Sequence, residues 1–184
     1  MIQSPGRLRY TGVSVFKNDK LIGWLNERQS KGYTDLTNNL VSTSVSVPCG
    51  EQKYIGVEIT SSKATLETEV RDGIPSITAT MQADANIVGW PSREIDATSL
   101  STIKWLEEES AKIIQGNAEA SVKQAKALKS DIFGFGLRLS KQHPAYFRKI
   151  KDQWNDQYFP ELQVNYAVKV SIRKTGTTGN TTLK

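Results

Sequence analysis

Residues 77–87 read ITATMQADANI, and this stretch decides the fold. Its odd-numbered positions are all apolar, and its even-numbered positions are all polar. Such strict alternation is typical of a β-strand with one buried face. The dipeptide Asp72-Gly73 stands just before it and is a strong tight-turn signal, so we expect the preceding strand to pair antiparallel with it. These residues predict that a sheet forms the centre of the domain.

The sequence upstream of this stretch supplies further strands. Residues 55–59 and 64–70 also alternate, but they are out of phase with each other, so we expect a bulge or turn at Ser61-Ser62. Residues 43–49 alternate in the same way. Nearer the N-terminus, two extended runs flank the polar dipeptide Asn18-Asp19 and predict a β-hairpin.

The sequence downstream changes to a helical pattern. Apolar residues recur at helical spacing from a cap at Thr98 or Ser99 as far as Leu139. A straight helix of that length would measure about 60 Å. A compact domain of this size has a diameter of only about 40 Å. We therefore expect the helix to bend, and Gly134 and Gly136 are the least costly place for the bend.

A shorter helix and a last strand complete the predicted fold. Pro144 suits the first turn of a helix, which we expect to reach about Trp154, and Pro160 ends the helical region. Residues 162–172 alternate again and return to the sheet. The predicted class is α+β: a mostly antiparallel sheet with one long bent helix and a shorter helix packed on one face.

The length and composition predict one domain. The chain has 184 residues, with 38% hydrophobic and 23% charged residues, which is close to the average for globular proteins. We expect residues 1–176 to form a single domain and the Gly/Thr/Asn-rich residues 177–184 to be a disordered tail. No apolar run is long enough to cross a bilayer, and residues 1–7 show no apolar core of a signal peptide.

The charge distribution leaves one alternative function open. The net charge is +5, and all of the excess lies in residues 98–184. A basic half suits nucleic acid, an anionic membrane surface or an acidic partner, but it is also common on solvated helix faces. A basic-surface module that binds nucleic acid or anionic membrane is therefore the alternative prediction.

The sequence offers no catalytic constellation. Its one cysteine, Cys49, and its one histidine, His143, are far apart, and neither has a catalytic signature around it. We expect Cys49 to be a buried structural residue. Residues 134–136 read Gly-Phe-Gly but lack the third glycine of a dinucleotide loop and follow a helix. We predict a protein that is not an enzyme, with no cofactor and no metal site.

Asp131 is the most informative carboxylate. It stands among Ile132, Phe133 and Phe135, where an acid is costly unless it is paired or hydrogen-bonded. One interpretation is a contact with a partner protein. The other is a local structural bond, either a helix cap or an ion pair with a nearby Lys or Arg.

Five short stretches and one tryptophan carry a family resemblance: GVSVFK (12–17), KLIGWL (20–25), KSDIFGFG (129–136), Trp154, FPEL (159–162) and VKVSIRKTG (168–176). In order and spacing they resemble the C-terminal domain of the Ger(x)C spore germination proteins. The similarity extends over roughly residues 8–176.

The resemblance implies a role in nutrient germinant receptors of spore-forming bacteria. Ger(x)C proteins are the C subunits of these receptors, lipoproteins on the outer surface of the spore inner membrane that work with the A and B subunits. The lipobox cysteine and the N-terminal domains of that family are missing here, so we expect an excised C-terminal domain, soluble by itself. Membrane association would come through the lipid anchor of the missing part, and no nucleic acid is expected as a partner.

The candidate residues are structural or interaction residues, and none is predicted to be catalytic. They cluster around the Gly-Phe-Gly stretch and one downstream tryptophan: Ser130, Asp131, Phe133, Gly134, Gly136 and Trp154. The predicted role for the domain is receptor assembly and germination signalling.

Overall fold

The computed structural model of the protein describes residues 12–51, 53–89 and 99–174. Within these ranges the strands are β1 (Val13–Lys17), β2 (Lys20–Leu25), β3 (Thr43–Pro48), β4 (Tyr54–Arg71), β5 (Ile74–Gly89) and β6 (Gln163–Lys174). The α-helices are α1 (Glu27–Leu36), α2 (Leu100–Ala127), α3 (Phe135–Gln142), α4 (Pro144–Ile150) and α5 (Phe159–Glu161). The predicted tail at 177–184 lies outside the described residues.

Two sheets organise these elements. β1 and β2 form the predicted antiparallel hairpin around Asn18-Asp19. The larger sheet has the strand order β3-β4-β5-β6, with antiparallel pairing except between β5 and β6, which are parallel. A parallel pair needs a long crossover, and α2 to α5 supply it. The sheet is therefore mostly antiparallel, as the sequence predicts.

The β4–β5 hairpin is the longest pairing in the described chain. Asp72 and Gly73 connect the two strands, with φ angles of 51° and 77°. Two successive residues with positive φ form the turn whose twist matches that of the paired strands. The tight turn predicted from this dipeptide is confirmed.

The change of phase in β4 arises from a β-bulge. The register with β5 shifts between Ile59 and Ser61, which leaves Thr60 as the extra residue. The buried positions of β4 are odd-numbered before the bulge and even-numbered after it. The bulge thus lies just before Ser61-Ser62, where the sequence predicted the break, and β4 continues through it as one strand.

The core lies between one face of the sheet and the helices. The odd-numbered apolar residues of β5 from Ile77 to Ile87 are all buried. They belong to one cluster with the buried face of α2, which includes Leu106, Ile114 and Val122. No described element packs on the opposite, polar face of the sheet, which we call the open face, so the described part of the chain has two layers.

Helix α1 is fixed at its start and along its side. Asn26 and Gln29 form a reciprocal capping box, with N–H to side-chain oxygen distances of 2.9 and 2.8 Å. At Gly32 the helix approaches α2 so closely that a Cβ atom would lie 2.1 Å from the carbonyl oxygen of Asn117. This contact places α1 against the middle of α2.

The long helical stretch predicted after residue 98 is divided into two helices. It begins at Ser99, whose side chain caps α2, but α2 ends at Ala127 and α3 starts at Phe135. Both Lys129 and Gly134 have positive φ angles, which an α-helix does not allow. The predicted bend is therefore a break with a connection between two helices.

The shorter helical region also differs in detail from the prediction. α4 begins at Pro144 as expected, but it ends at Ile150 instead of Trp154. A 3₁₀ turn and the π-helical turn Trp154–Tyr158 carry the chain into α5. Pro160 stands in the first turn of α5, where its missing N–H is harmless, and the helical region ends one residue later at Glu161, close to the predicted position.

Candidate functional site

Residues 128–136, which we name the Asp131 turn, connect α2 to α3. Helix α2 ends with the backbone of Lys129 in the left-handed conformation, at a φ of 50°. The N–H of Ser130 donates to the carbonyl of Ala125 at 3.1 Å, and the N–H of Lys129 donates to that of Lys126 at 3.0 Å. This pattern is a Schellman motif, which satisfies the last carbonyls of the helix.

The carboxylate of Asp131 binds four donors. Its Oδ1 accepts from the backbone N–H groups of Phe133 and Phe135, at 3.3 and 3.1 Å. Its Oδ2 accepts from the N–H of Gly136 at 2.7 Å and from Nε1 of Trp154 at 2.9 Å. One side chain thereby closes the turn and attaches it to the segment after α4.

Helix α3 gains its cap from this carboxylate. Gly134 is the residue before α3 and has no side chain to accept a hydrogen bond. The carboxylate of Asp131 accepts hydrogen bonds from the first N–H groups of α3 in place of a side chain at Gly134. Its negative charge also interacts favourably with the helix dipole. Among the described residues no Lys or Arg forms an ion pair with Asp131, so the geometry is that of a cap.

The two glycines of the turn serve different purposes. Gly134 has a φ of 72°, with open space where a Cβ would stand, so its backbone conformation requires glycine. Gly136 has ordinary dihedral angles, but a Cβ there would lie 2.5 Å from Nε1 of Trp154. The first glycine allows the turn, and the second allows the indole to reach Asp131.

An aromatic cluster packs beneath the turn. Phe133 and Phe135 stack with ring centroids 5.1 Å apart, and Phe135 lies 6.4 Å from Phe159. Trp154 lies 6.2 Å from Phe159, so the rings join the turn to α5. Phe133 also contacts Tyr33 of α1, at 6.0 Å. The turn is therefore packed against three separate parts of the helical layer.

The β1–β2 hairpin is attached beside the Asp131 turn. Nζ of Lys17 forms an ion pair with Asp156 at 2.9 Å, in the turn that also holds Trp154. The side chain of Leu128 lies so close to Gly23 that a Cβ there would be 2.7 Å from it. The carbonyl of Trp24 accepts a weaker hydrogen bond from Gln124 at 3.4 Å.

The outer face of this hairpin is apolar. The side chains of Phe16, Leu21 and Trp24 are exposed to 55%, 47% and 61%. We name these three residues the hairpin patch. Large apolar side chains that are exposed together mark an interaction surface more often than isolated ones do.

The structure brings the six sequence-predicted residues into one place. Ser130, Asp131, Phe133, Gly134 and Gly136 form the turn itself, and Trp154 reaches it through the hydrogen bond to Asp131. Their role in binding a partner stays a prediction.

Sequence reasoning missed Asn155 as a member of this site. Its Oδ1 accepts from the backbone N–H of Asp131 at 2.9 Å, across 24 residues of chain. No motif or spacing in the sequence marks Asn155, although it stands next to Trp154. The hairpin patch was missed as well, because alternation alone does not say which face a two-stranded hairpin leaves open.

Cys49 and His143 are not neighbours. Cys49 follows β3 next to the start of β4, whereas the ring of His143 contacts the carbonyl of Thr68 near the other end of β4. The cysteine is half-buried and packs at the edge of the core, so it is less buried than the sequence predicted. The structure does not form the Cys-His pair that a thiol nucleophile would need.

A buried carboxyl group lies elsewhere, in α1. Asp35 is 2% exposed, and neither its Oδ1 nor the buried Oγ of Ser62 has a hydrogen-bond partner in the described part of the chain. Burial raises the pKa of Asp35 to about 6. No motif or periodicity in the sequence marks this group.

The described ranges contain neither a candidate metal-binding cluster nor a candidate membrane-spanning helix. No cluster of three or more His, Cys, Asp or Glu side chains there is arranged to hold a metal ion. No helix there is both long and apolar enough to span a membrane.

The fold matches that of a solved protein. The crystal structure of the GerBC protein superposes with a TM-score of 0.80, over 91% of this chain and 52% of that one, at 19% identity. The architecture is therefore that of a GerBC-like α+β domain.

The sequence comparisons identify the family. The family model described as "Spore germination B3/ GerAC like, C-terminal" matches residues 11–176, and this chain belongs to that family. Spore germination protein KC of Bacillus subtilis (strain 168) is 29% identical over 177 residues, which are 94% of this chain and 43% of that protein. Spore germination protein B3 of the same organism is 23% identical, over 95% of this chain and 47% of that protein.

These matches confirm the resemblance that the sequence motifs indicated. The chain spans about half the length of the curated relatives that it matches. It belongs by sequence to a family of spore germination proteins.

Proposed function

We propose that this chain is a non-enzymatic interaction module of a spore nutrient germinant receptor. It acts in receptor assembly and germination signalling at the outer surface of the spore inner membrane. The observation that carries the proposal is the family match over residues 11–176, which includes every element of the described structure from β1 to β6. The A and B subunits of the receptor are the proposed partners.

The Asp131 turn supports a role in positioning. All the donors around the carboxylate belong to the chain itself, so Asp131 is engaged in holding α3 and Trp154 in place. The lone pairs of this carboxylate point at fixed donors of the same chain. The turn therefore suits a scaffold that presents another surface.

The hairpin patch is the surface that the turn presents. Lys17 and Gly23 hold the hairpin against residues next to the turn, while Phe16, Leu21 and Trp24 face away from the domain. Aromatic residues on a fixed element lose little entropy on binding and often supply most of the binding energy of an interface. We place the contact with the other receptor subunits here.

Membrane association is part of the same proposal. The full-length C subunit would carry a lipid anchor, and this module would associate with the membrane through it. The relatives named above are described only as spore germination proteins.

The test is the nutrient response of spores that carry a changed C subunit. Trp24→Ser removes the largest exposed ring of the patch, and Ile74→Ser changes an equally exposed apolar residue at the β4–β5 turn as the matched control. We expect Trp24→Ser to slow nutrient-triggered release of dipicolinate, with normal C-subunit levels and normal nutrient-independent germination. Ile74→Ser should leave the nutrient response unchanged.

Deletion of this module alone from the C subunit tests whether the receptor needs the module at all. Loss of the nutrient response, with nutrient-independent germination intact, would support a place in the working or assembly machinery of the receptor. An unchanged response, with the shortened C subunit present at normal level, would contradict the proposal.

A further inference from the structure

The open face of the large sheet carries a cavity that the receptor role does not explain. Its volume is about 310 Å³, and its lining comes from the three strands β4, β5 and β6. The charged residues around it are Lys63, Asp84, Lys169 and Arg173, and the uncharged polar lining includes Ser61 and Gln82. A polar lining of this kind suits a charged ligand and not an apolar one.

The strand register places two lysines in one row. Lys63 of β4 pairs with Gln82 of β5, and Gln82 pairs with Lys169 of β6. Direct partners in neighbouring strands point to the same face. Because strands lie about 4.8 Å apart, the two lysine Cα atoms are about 10 Å apart. Both ammonium groups can therefore reach one ligand above Gln82.

The next part of the face supplies a third cation and one acid. Nε of Arg173 donates to Oδ1 of Asp84 at 2.8 Å, and Oγ of Ser61 lies 3.5 Å from Oδ2. Asp84 is thus neutralised by Arg173. Neither Lys63 nor Lys169 forms an ion pair with any residue that the structure describes. The cavity has two uncompensated positive charges.

We propose that this cavity binds a small, multiply charged oxyanion between Lys63 and Lys169. The two ammonium groups donate charge-assisted hydrogen bonds to its oxygens, and the amide of Gln82 donates from the floor. The β-bulge at Thr60 lies beside the cavity, as bulges near binding sites often do. The ligand chemistry is that of a polyphosphate or a polycarboxylate, and inorganic pyrophosphate is the probe.

The experiment is a titration of the 184-residue chain with pyrophosphate at low salt, followed by amide chemical shifts and by calorimetry. We expect saturable binding, with the largest shifts along the Lys63–Gln82–Lys169 row. Lys63→Gln and Lys169→Gln should each weaken binding about tenfold, the value of one charge-assisted hydrogen bond. Asp84→Asn should tighten binding, because it removes the one negative charge and releases Arg173.

Lys104→Gln is the matched control, since Lys104 is an exposed lysine on α2, away from the open sheet face. It should bind pyrophosphate as the unchanged chain does. Equal weakening by Lys104→Gln and Lys169→Gln, or no saturable binding, would overturn the proposal. Binding of the chain to anionic vesicles that added pyrophosphate does not displace would also overturn the proposal. That result would indicate an extended basic surface and not a site for a small oxyanion.

Discussion

Oδ2 of Asp131 accepts a hydrogen bond from Nε1 of Trp154 at 2.9 Å, across 23 residues of chain. The same oxygen caps the first turn of α3 through the N–H of Gly136. One atom therefore couples the start of one helix to an indole in the following segment. Since Asp156 in that segment also holds Lys17, the link continues to the hairpin patch.

The first prediction concerns Asp131→Ala. It leaves the half-buried donors of Phe135, Gly136 and Trp154 without an acceptor, so we expect the free energy of unfolding to fall by about 2–4 kcal/mol. Asp131→Asn should cost less, because its amide keeps one acceptor oxygen. Urea unfolding measures both, with exposed Asp152→Asn as a control that should be neutral. An unchanged urea midpoint for Asp131→Ala would contradict a stabilising role of the carboxylate. If the nutrient response of spores with this variant were also unchanged, the turn would have no part in the proposed function.

The second prediction separates the two glycines of the turn. Gly134→Ala should cost about 1–2 kcal/mol of stability, the strain of a left-handed residue with a Cβ. Gly136→Ala should cost more, because its Cβ would displace Trp154 from the Asp131 carboxylate. The indole N–H resonance of Trp154, assigned with Trp154→Phe, should move in Gly136→Ala and stay in place in Gly134→Ala. The reverse pattern would refute the assignment of the two roles.

The third prediction concerns the contact between α1 and α2. A Cβ at Gly32 would lie 2.1 Å from the carbonyl oxygen of Asn117, which is backbone and cannot rotate away. We expect Gly32→Ala to destabilise the chain by about 1–3 kcal/mol, although alanine is the better helix former. Gly116→Ala is the matched control, because its Cβ would meet only the flexible end of Arg28. Thermal unfolding should show little change in that variant, and equal losses in both would argue against backbone crowding.

The fourth prediction is a pH dependence that arises from Asp35. Its pKa is raised from 3.8 to about 6 in the folded state, so between these values the folded chain binds more protons than the unfolded chain. The contribution of Asp35 to stability is therefore full below about pH 4 and falls as the pH rises to about 6, by about 3 kcal/mol in total. Urea unfolding of the unchanged chain and of Asp35→Asn, from pH 4 to pH 7, measures the difference. A constant difference across this range would show that Asp35 titrates normally.

Much of the fold was predictable because local patterns and global burial agree here. The alternation in residues 77–87 and the turn at Asp72-Gly73 predicted the central hairpin. The phase change in β4 predicted the position of the bulge to within about one residue. The helix break at Lys129 was not predicted, because its left-handed backbone occurs at a lysine and carries no glycine signal. The parallel pairing of β6 also leaves no local mark on the sequence.

The sequence indicated six residues near the turn, but it indicated neither their geometry nor the contribution of Asn155. Local sequence showed an acid among apolar residues with glycines beside it, and the family motif added Trp154. Only the folded chain shows that Asp131 reaches the indole of Trp154 and that Asn155 holds its backbone. Such contacts join residues more than twenty positions apart, and no periodicity encodes them.

The linear sequence was sufficient to predict the period of most elements, the turn at Asp72-Gly73, the family and the glycine-containing stretch around Asp131. These properties depend on neighbouring residues or on motif order, which a linear chain displays directly. Only the tertiary structure decided that the long helix is broken, that Asp35 is buried, and that Lys63 and Lys169 share a row. Each of these features depends on which distant segments pack together. That packing depends on interactions throughout the chain and not on neighbouring residues alone.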